Sequence, residues 1–502
     1  MLYESTRGQF RPVLSAEAIK LGLSPDGGLF VPHEIVRINE EQLKELLGLG
    51  YQKQAAAILT KYLTDYTKAE IDDCVKLAYN DIKFSSPAIA PVHKLDETLY
   101  ILELWHGPTC AFKDMALQIL PHLLTKAAAK TGDCSTIVIL VATSGDTGKA
   151  ALEGFKDVPG TRIIVFYPEE GVSAVQKLQM ITQEGNNVSV VAVQGNFDDA
   201  QNGVKDIFGN LGFNQDLLHE NYRLSSANSI NWGRLAPQIV YYFSAYLDLV
   251  AKGNAVLGEK VNFVVPTGNF GNILSAFYAK EMGLPVNKLI CAANANKVLT
   301  DFIHTGVYNR ERHFYKTISP SMDILISSNL ERLLYHLTGR DYVKTREWMT
   351  SLKDNGNYQI DEPTLARINK IFWSDYAGDN ETMETIRSCF DEYGYVTDTH
   401  TAVGINVYKK YIAATGDKTK TVVASTASPF KFNTSVARAI LGDAEVKDKD
   451  EFELLTLLSD ASAMEIPAGL KGLEQKPILH QKIASIDNIQ EVVQYILQQP
   501  VA

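Results

Sequence analysis

A chain of 502 residues, 45% apolar and 21% charged, is long enough for two or three domains and buries a core easily. Its net charge of −11 argues against nucleic acid as a partner, because phosphate neutralisation needs clustered Lys and Arg. No apolar run approaches the ~20 residues of a membrane span, and the polar start MLYESTRGQFRP lacks the apolar region of a secretion signal, so the cytoplasm is the expected location.

In chain order, the first 95 residues read as a mainly helical region. It follows the segments YESTRG and SPDGGLFVP and contains the amphipathic stretches AAAILTKYLTDY and IDDCVKLAYNDI. Strands and helices then alternate. Strands are expected at 98–104, 137–142, 162–167, 188–193, 261–266, 288–293 and 421–425, with helices at 115–124 (kinked by Pro121), 172–182 and 198–208 among those between them. Alternation of this kind implies an α/β fold with mostly parallel sheets, helices on both faces, and two sheets meeting at a cleft. The stretch 300–394 is rich in charged and aromatic residues without clear strands and reads as a helical insertion. Five cysteines (Cys74, Cys110, Cys134, Cys291 and Cys389) lack C-x-x-C spacing, so neither a disulfide scaffold nor a metal site is expected.

Three strand-loop-helix units carry chemistry. Residues 106–114, HGPTCAFKD, place Lys113 at a strand's carboxyl end, where open α/β sheets build their sites. Partial burial there lowers an ammonium's pKa, and the neutral amine can form a Schiff base with an aldehyde cofactor. Cys110, three residues earlier, reads as a small packing residue. Residues 267–272, TGNFGN, form a glycine-rich loop before a helix, suited to a phosphate bound by backbone dipoles and by the amides of Asn269 and Asn272. Residues 143–149, TSGDTGK, are too short for a Walker loop. They offer instead a helix start with the hydroxyls of Ser144 and Thr147 for a carboxylate, compatible with capping by Ser144 or Asp146.

These motifs, with SSANSINWGRLAPQIVYYF (225–243), DTHTAVG (398–404) and STASPFKF, resemble the threonine synthase family over most of the chain. The resemblance implies a fold-type II pyridoxal-phosphate enzyme, similar to the tryptophan synthase β chain, with pyridoxal 5'-phosphate as cofactor. It assigns Lys113 as the catalytic and cofactor-bearing lysine, Gly268, Asn269, Phe270, Gly271 and Asn272 as the phosphate loop, and Thr426 as the partner of the pyridine nitrogen. Organised on that pattern, 1–95 is an N-terminal domain, and 96–134 with 226–299 and 395–440 form the large cofactor-binding domain. Residues 135–225 are the small α/β domain, 300–394 the insertion, and 441–502 a C-terminal segment packing on the large domain.

The family acts on O-phospho-L-homoserine, replacing its γ-phosphate by water at Cβ to give L-threonine, the last step of threonine biosynthesis. A phosphate leaving group needs a second anion site. Asn228, Ser229, Asn231 and Arg234 offer it amide, hydroxyl and guanidinium donors, with Asn231 and Arg234 on one helical face. Arg7 and Lys177 are further basic candidates, Ser144, Asp146 and Thr147 take the substrate carboxylate, and His400 is a candidate assistant. Two alternatives are a phospholyase releasing a 2-keto acid, ammonia and phosphate, and a non-catalytic binding protein on the same fold. A monomer or homodimer without membrane contact is expected.

Overall fold

The computed structural model describes residues 1–143, 145–169 and 172–500. In chain order, β1 (Leu2–Ser5), β2 (Val13–Leu14) and β3 (Phe30–Pro32) make a small antiparallel sheet in the N-terminal region. The strands that follow are β4 (Val92–Lys94), β5 (Leu99–Glu103), β6 (Thr136–Ala142), β7 (Thr161–Pro168), β8 (Val188–Gln194), β9 (Tyr222–Ser225), β10 (Val261–Pro266) and β11 (Val286–Ala293). Last come β12 (Val307–Asn309), β13 (Asn357–Gln359), β14 (Phe372–Tyr376), β15 (Thr421–Ser425) and β16 (Lys482–Ser485).

Two sheets dominate. The larger runs β14-β11-β10-β15-β5-β4, parallel except for β4, and the smaller runs β16-β8-β7-β6-β9, parallel throughout. Their central strands, such as TRIIVFYP in β7, are buried at every position, because helices cover both faces and leave no side for water. Through the register Val422↔Phe263 and Val422↔Tyr100, the carboxyl ends of β10, β15 and β5 lie side by side, and the site assembles there.

Several expectations need correction. Residues 115–124 are not one kinked helix: Asp114–Leu117 and Leu120–Lys130 are separate, with Pro121 in the first turn of the second, where a missing N–H breaks no helical bond. The segments YESTRG and SPDGGLFVP are not merely a lead-in to helices, since they supply β1 and β3. Residues 300–394 are not purely helical either. They form the hairpin β12-β13 and give the larger sheet its edge strand β14, paired in parallel with β11. FWSDY escapes a search for apolar runs because an edge strand needs only alternate burial, here Phe372 and Ser374.

Residues 441–502 do not lie on the larger domain alone. β16 pairs with β8, and Ile489, Val493, Ile496 and Leu497 of the last helix cover Val138, Leu140, Ile164 and Phe166 of the smaller sheet. The four apolar residues recur with helical spacing, so they bury one stripe in the cluster that Ala200, Val204 and Ile207 of a preceding helix share on this sheet face. Among the described residues no helix is long and apolar enough to cross a membrane.

Candidate active site

The loop from β5 to Lys113 is braced by short-range polar chemistry. The Thr109 N–H and hydroxyl both donate to Asp114 at 2.8 Å, closing the turn, and Gly107 faces Asp114 so closely that a Cβ would lie 2.5 Å from its Cβ. Burial pushes the Asp114 carboxyl up to about 6, against the pull of those bonds. The loop is then stitched to the segment after β15. Phe112 N donates to Thr426 O at 2.8 Å and Ser428 N to Cys110 O at 2.9 Å, while Leu104 N donates to Ser425 O at 3.0 Å. Lys113 and Thr426 are therefore placed together by the backbone. Thr426 is 6% exposed, and its hydroxyl makes no hydrogen bond among the described residues. Cys110 packs inside with its thiol pushed up to about 12 by burial, which removes the thiolate that reactivity needs.

At the end of β10, Phe270 adopts a left-handed backbone (φ 64°) and starts the helix Gly271–Met282, its ring packed 5.8 Å from that of Phe372. The backbone of Phe270, rather than its side chain, is thus what the loop presents. A Cβ on Gly268 would sit 2.8 Å from Ser321 O, so only glycine fits. Ser327 Oγ donates to Gly268 O at 2.8 Å and Asn329 Nδ2 to Asn269 O at 3.0 Å, bracing the loop from the insertion. Asn272 is buried, and its Oδ1 accepts from Tyr241 at 2.5 Å and Tyr242 at 2.6 Å, which leaves Nδ2 without a partner. A buried amide donor costs about 1–3 kcal/mol unpaired, and a phosphate at the helix start supplies the missing acceptor.

Asp146 is the largest departure from expectation. It does not await a substrate anion: its Oδ2 meets Lys113 Nζ at 3.4 Å and Ser321 Oγ at 2.9 Å, and its Oδ1 meets Lys431 Nζ at 3.0 Å and Gln176 Nε2 at 2.9 Å. Burial would raise its pKa, but Lys431 and Lys113 outweigh burial and hold the carboxyl well below the usual range, so it stays an acceptor that repels carboxylate and phosphate. Lys113 itself is lowered by burial, against Asp146 and with help from Lys431 and Arg234. Ser144 lies outside the described residues. At the start of the helix Asp146–Phe155 it is Thr143, rather than Asp146, whose Oγ1 accepts from Gly145 N and Gly148 N at 3.0 Å each. Thr147 stands half-buried in the first turn.

The segment Asn228 to Arg234 divides by role. Asn231 is a cap, accepting from Gly233 N and donating to Ile19 O at 2.9 Å each, and is fully buried. It is removed from the substrate set because every one of its polar atoms serves the fold. Arg234 donates to Ala227 O at 2.7 Å and has no acidic partner among the described residues, and burial lowers it to about 10. Ser229 Oγ accepts from Asn329 Nδ2 at 3.2 Å, close to Gly271, while Asn228 is exposed.

Arg7 is withdrawn, since it is bound to Glu331 through Nε and Nη2 at 3.1 Å each. Lys177 is half-buried on the helix Ala174–Ile181. His400 is also withdrawn: Nδ1 meets Asp398 at 3.0 Å and Nε2 accepts from Ser321 N at 3.1 Å, so both ring nitrogens are engaged. Lys431, Gln176, Ser321 and Asn329 were missed. Only Lys431 carried a local signal, a lone cation between two phenylalanines in SPFKF.

A family model described as pyridoxal-phosphate dependent enzyme matches residues 84–427, flanked by threonine synthase N terminus at 2–79 and threonine synthase, C-terminal at 401–496. The chain is 40% identical to Threonine synthase-like 1 of Homo sapiens over 96% of its own length and 63% of that relative's. To Threonine synthase of Saccharomyces cerevisiae it is 37% identical, covering 88% of this chain and 89% of that one. The PLP-bound threonine synthase from Brucella melitensis superposes with a TM-score of 0.88 at 36% identity, over 99% of this chain and 100% of that one. The family model and the PLP-bound relative, which agree with a lysine at the end of a parallel strand, make the chain a fold-type II enzyme whose cofactor is pyridoxal 5'-phosphate. Within that class the chain belongs to the threonine synthase family. It spans 63% of the length of its Threonine synthase-like 1 relatives.

Proposed function

We propose that the chain converts O-phospho-L-homoserine and water to L-threonine and phosphate. The observation that carries this reading is Arg234, a buried guanidinium without a carboxylate partner among the described residues, whose charge helps lower the pKa of Lys113. Burial makes such a cation costly without a counter-charge, and an anionic substrate offsets that cost.

Held at Lys113, the cofactor supplies an aldehyde for the substrate amine and a ring that stores electrons released at the substrate carbons. The TGNFGN loop would hold its phosphate through Gly268, Asn269, Phe270, Gly271 and the amide of Asn272, which has no partner among the described residues. The Thr426 hydroxyl would serve its ring nitrogen, where a neutral hydroxyl would favour protonation less than a carboxylate. Lys113, freed as an amine when substrate arrives, takes the proton from Cα and then one from Cβ. Phosphate leaves Cγ toward Arg234, Ser229 and Asn228. Cγ gains the proton taken from Cβ, water adds its hydroxyl at Cβ while its proton passes to the released phosphate, and Lys113 returns a proton to Cα. The substrate carboxylate lies at the start of the helix Asp146–Phe155, at Thr147 and Ser144, with Asp146 facing Lys113 instead.

Product analysis tests the reading. O-phospho-L-homoserine given to the holoenzyme should yield threonine and phosphate in equal amounts. The same proton transfers without hydration would yield 2-oxobutyrate, ammonia and phosphate, and those as main products would overturn it.

A further inference from the structure

Two lysines share one carboxylate where the helix Asp146–Phe155 meets the cofactor lysine. Lys113 and Lys431 bind opposite oxygens of Asp146, and Arg234 lies near without an acidic partner of its own among the described residues. The other groups facing Asp146 are neutral donors, Gln176 and Ser321, together with His400, whose own carboxylate is Asp398. One negative charge cannot hold two buried ammoniums equally. Geometry decides between them. Lys431 is fully enclosed, 3.0 Å from Asp146 Oδ1, and donates also to Thr109 O at 2.8 Å. Lys113 reaches Asp146 only at 3.4 Å, makes no other hydrogen bond among the described residues, and is 11% exposed.

We propose that Lys431 is a positioning residue for Lys113: by occupying Asp146, it prevents that carboxylate from holding Lys113 as an ammonium and leaves Lys113 as the free amine. The proposal rests on Lys113 being the cofactor lysine. Asp146 stays ionised through Lys431, so no proton returns to Lys113 from that side. The same pairing keeps Asp146 fixed across the boundary between the two sheets, since Asp146 follows β6 and Lys431 follows β15. The direction of the Lys113 shift agrees, with burial, Lys431 and Arg234 all favouring the neutral amine against Asp146 alone.

The test is the pH dependence of cofactor attachment. Full-length protein freed of cofactor is mixed with pyridoxal phosphate between about pH 6 and about pH 10, reduced with borohydride at set times, and mapped for the adduct at Lys113. Lys431→Met should move the midpoint of the rate profile up by about one pH unit or more, slowing attachment near neutral pH about tenfold. Lys431→Arg should restore the wild-type midpoint. Asp146→Asn should move it the other way, down. A Lys431→Met midpoint equal to the wild-type one overturns the proposal. If Lys431→Met does not fold, Asp146→Asn decides, and an unchanged or raised midpoint there overturns the proposal too. Wild-type protein that forms no adduct at Lys113 at any pH overturns the cofactor assignment itself, a distinguishable failure.

Discussion

Replacing Arg234 by methionine should separate function from stability. The guanidinium is buried, and desolvation lowers it from the ordinary 12.5 to about 10. At about 1.4 kcal/mol per pKa unit, this amounts to ~3 kcal/mol of desolvation cost in the folded protein. Methionine fills much of the same volume without charge and gives up one hydrogen bond to Ala227 O, worth ~1 kcal/mol. The variant should therefore be as stable as wild type, or more stable by up to ~2 kcal/mol, as expected where a residue is kept for binding. Catalysis should move oppositely. Loss of two charge-assisted bonds to the substrate phosphate, ~1.5–3 kcal/mol each, lowers kcat/KM by a factor of roughly 10² to 10⁴. The assays are urea unfolding of the holoenzyme, whose cofactor fills the TGNFGN loop, with and without inorganic phosphate, and steady-state kinetics on O-phospho-L-homoserine. Phosphate should stabilise wild type and not the variant. A variant destabilised by more than ~2 kcal/mol, with phosphate stabilising both proteins equally, would refute the assignment and make Arg234 a residue of the fold.

Asn231→Ala should do the reverse, costing about 1–2 kcal/mol in denaturant unfolding through the lost cap while cofactor attachment persists. Gly268→Ala forces a Cβ to within 2.8 Å of Ser321 O and should weaken cofactor retention at least ~10-fold, read by dialysis and absorbance, with the secondary structure intact by circular dichroism. Asp114 has a folded pKa of about 6, above its ordinary 3.8. A raised folded value favours the protonated form, so this group's contribution to stability is present below pH ~4 and lost as pH rises through ~6, by ~3 kcal/mol. The stability of wild type relative to Asp114→Asn should fall over that window, and a flat difference would contradict the buried placement of the carboxyl.

What could be read in advance was local. The strands 261–266 and 421–425 end where their apolar runs end, because both are central strands buried on two faces. The turn in TGNFGN was legible because a glycine-rich run between an apolar strand and an amphipathic helix marks it locally, whereas the contacts that brace it, from Ser321, Ser327 and Asn329, come from far along the chain. Asp146 was misjudged because its neighbours Lys431, Ser321 and Gln176 come from distant parts of the chain, and no spacing rule links them. Asn231 and Arg234 share a helix start, yet local capping took one and burial beside the lysine the other. β14 and β16 were hidden for a related reason, since edge strands draw their pattern from a sheet that the sequence does not display.

A crystal structure of the holoenzyme with the phosphonate analogue of O-phosphohomoserine puts the central claim to the most direct test. The account predicts phosphonate oxygens within hydrogen-bond distance of Arg234, Ser229 and Asn228, cofactor phosphate in the TGNFGN loop with Asn272 Nδ2 donating to it, and the Lys113 amine beside Cα. Phosphonate bound away from Arg234, or Lys113 turned from Cα, would contradict it.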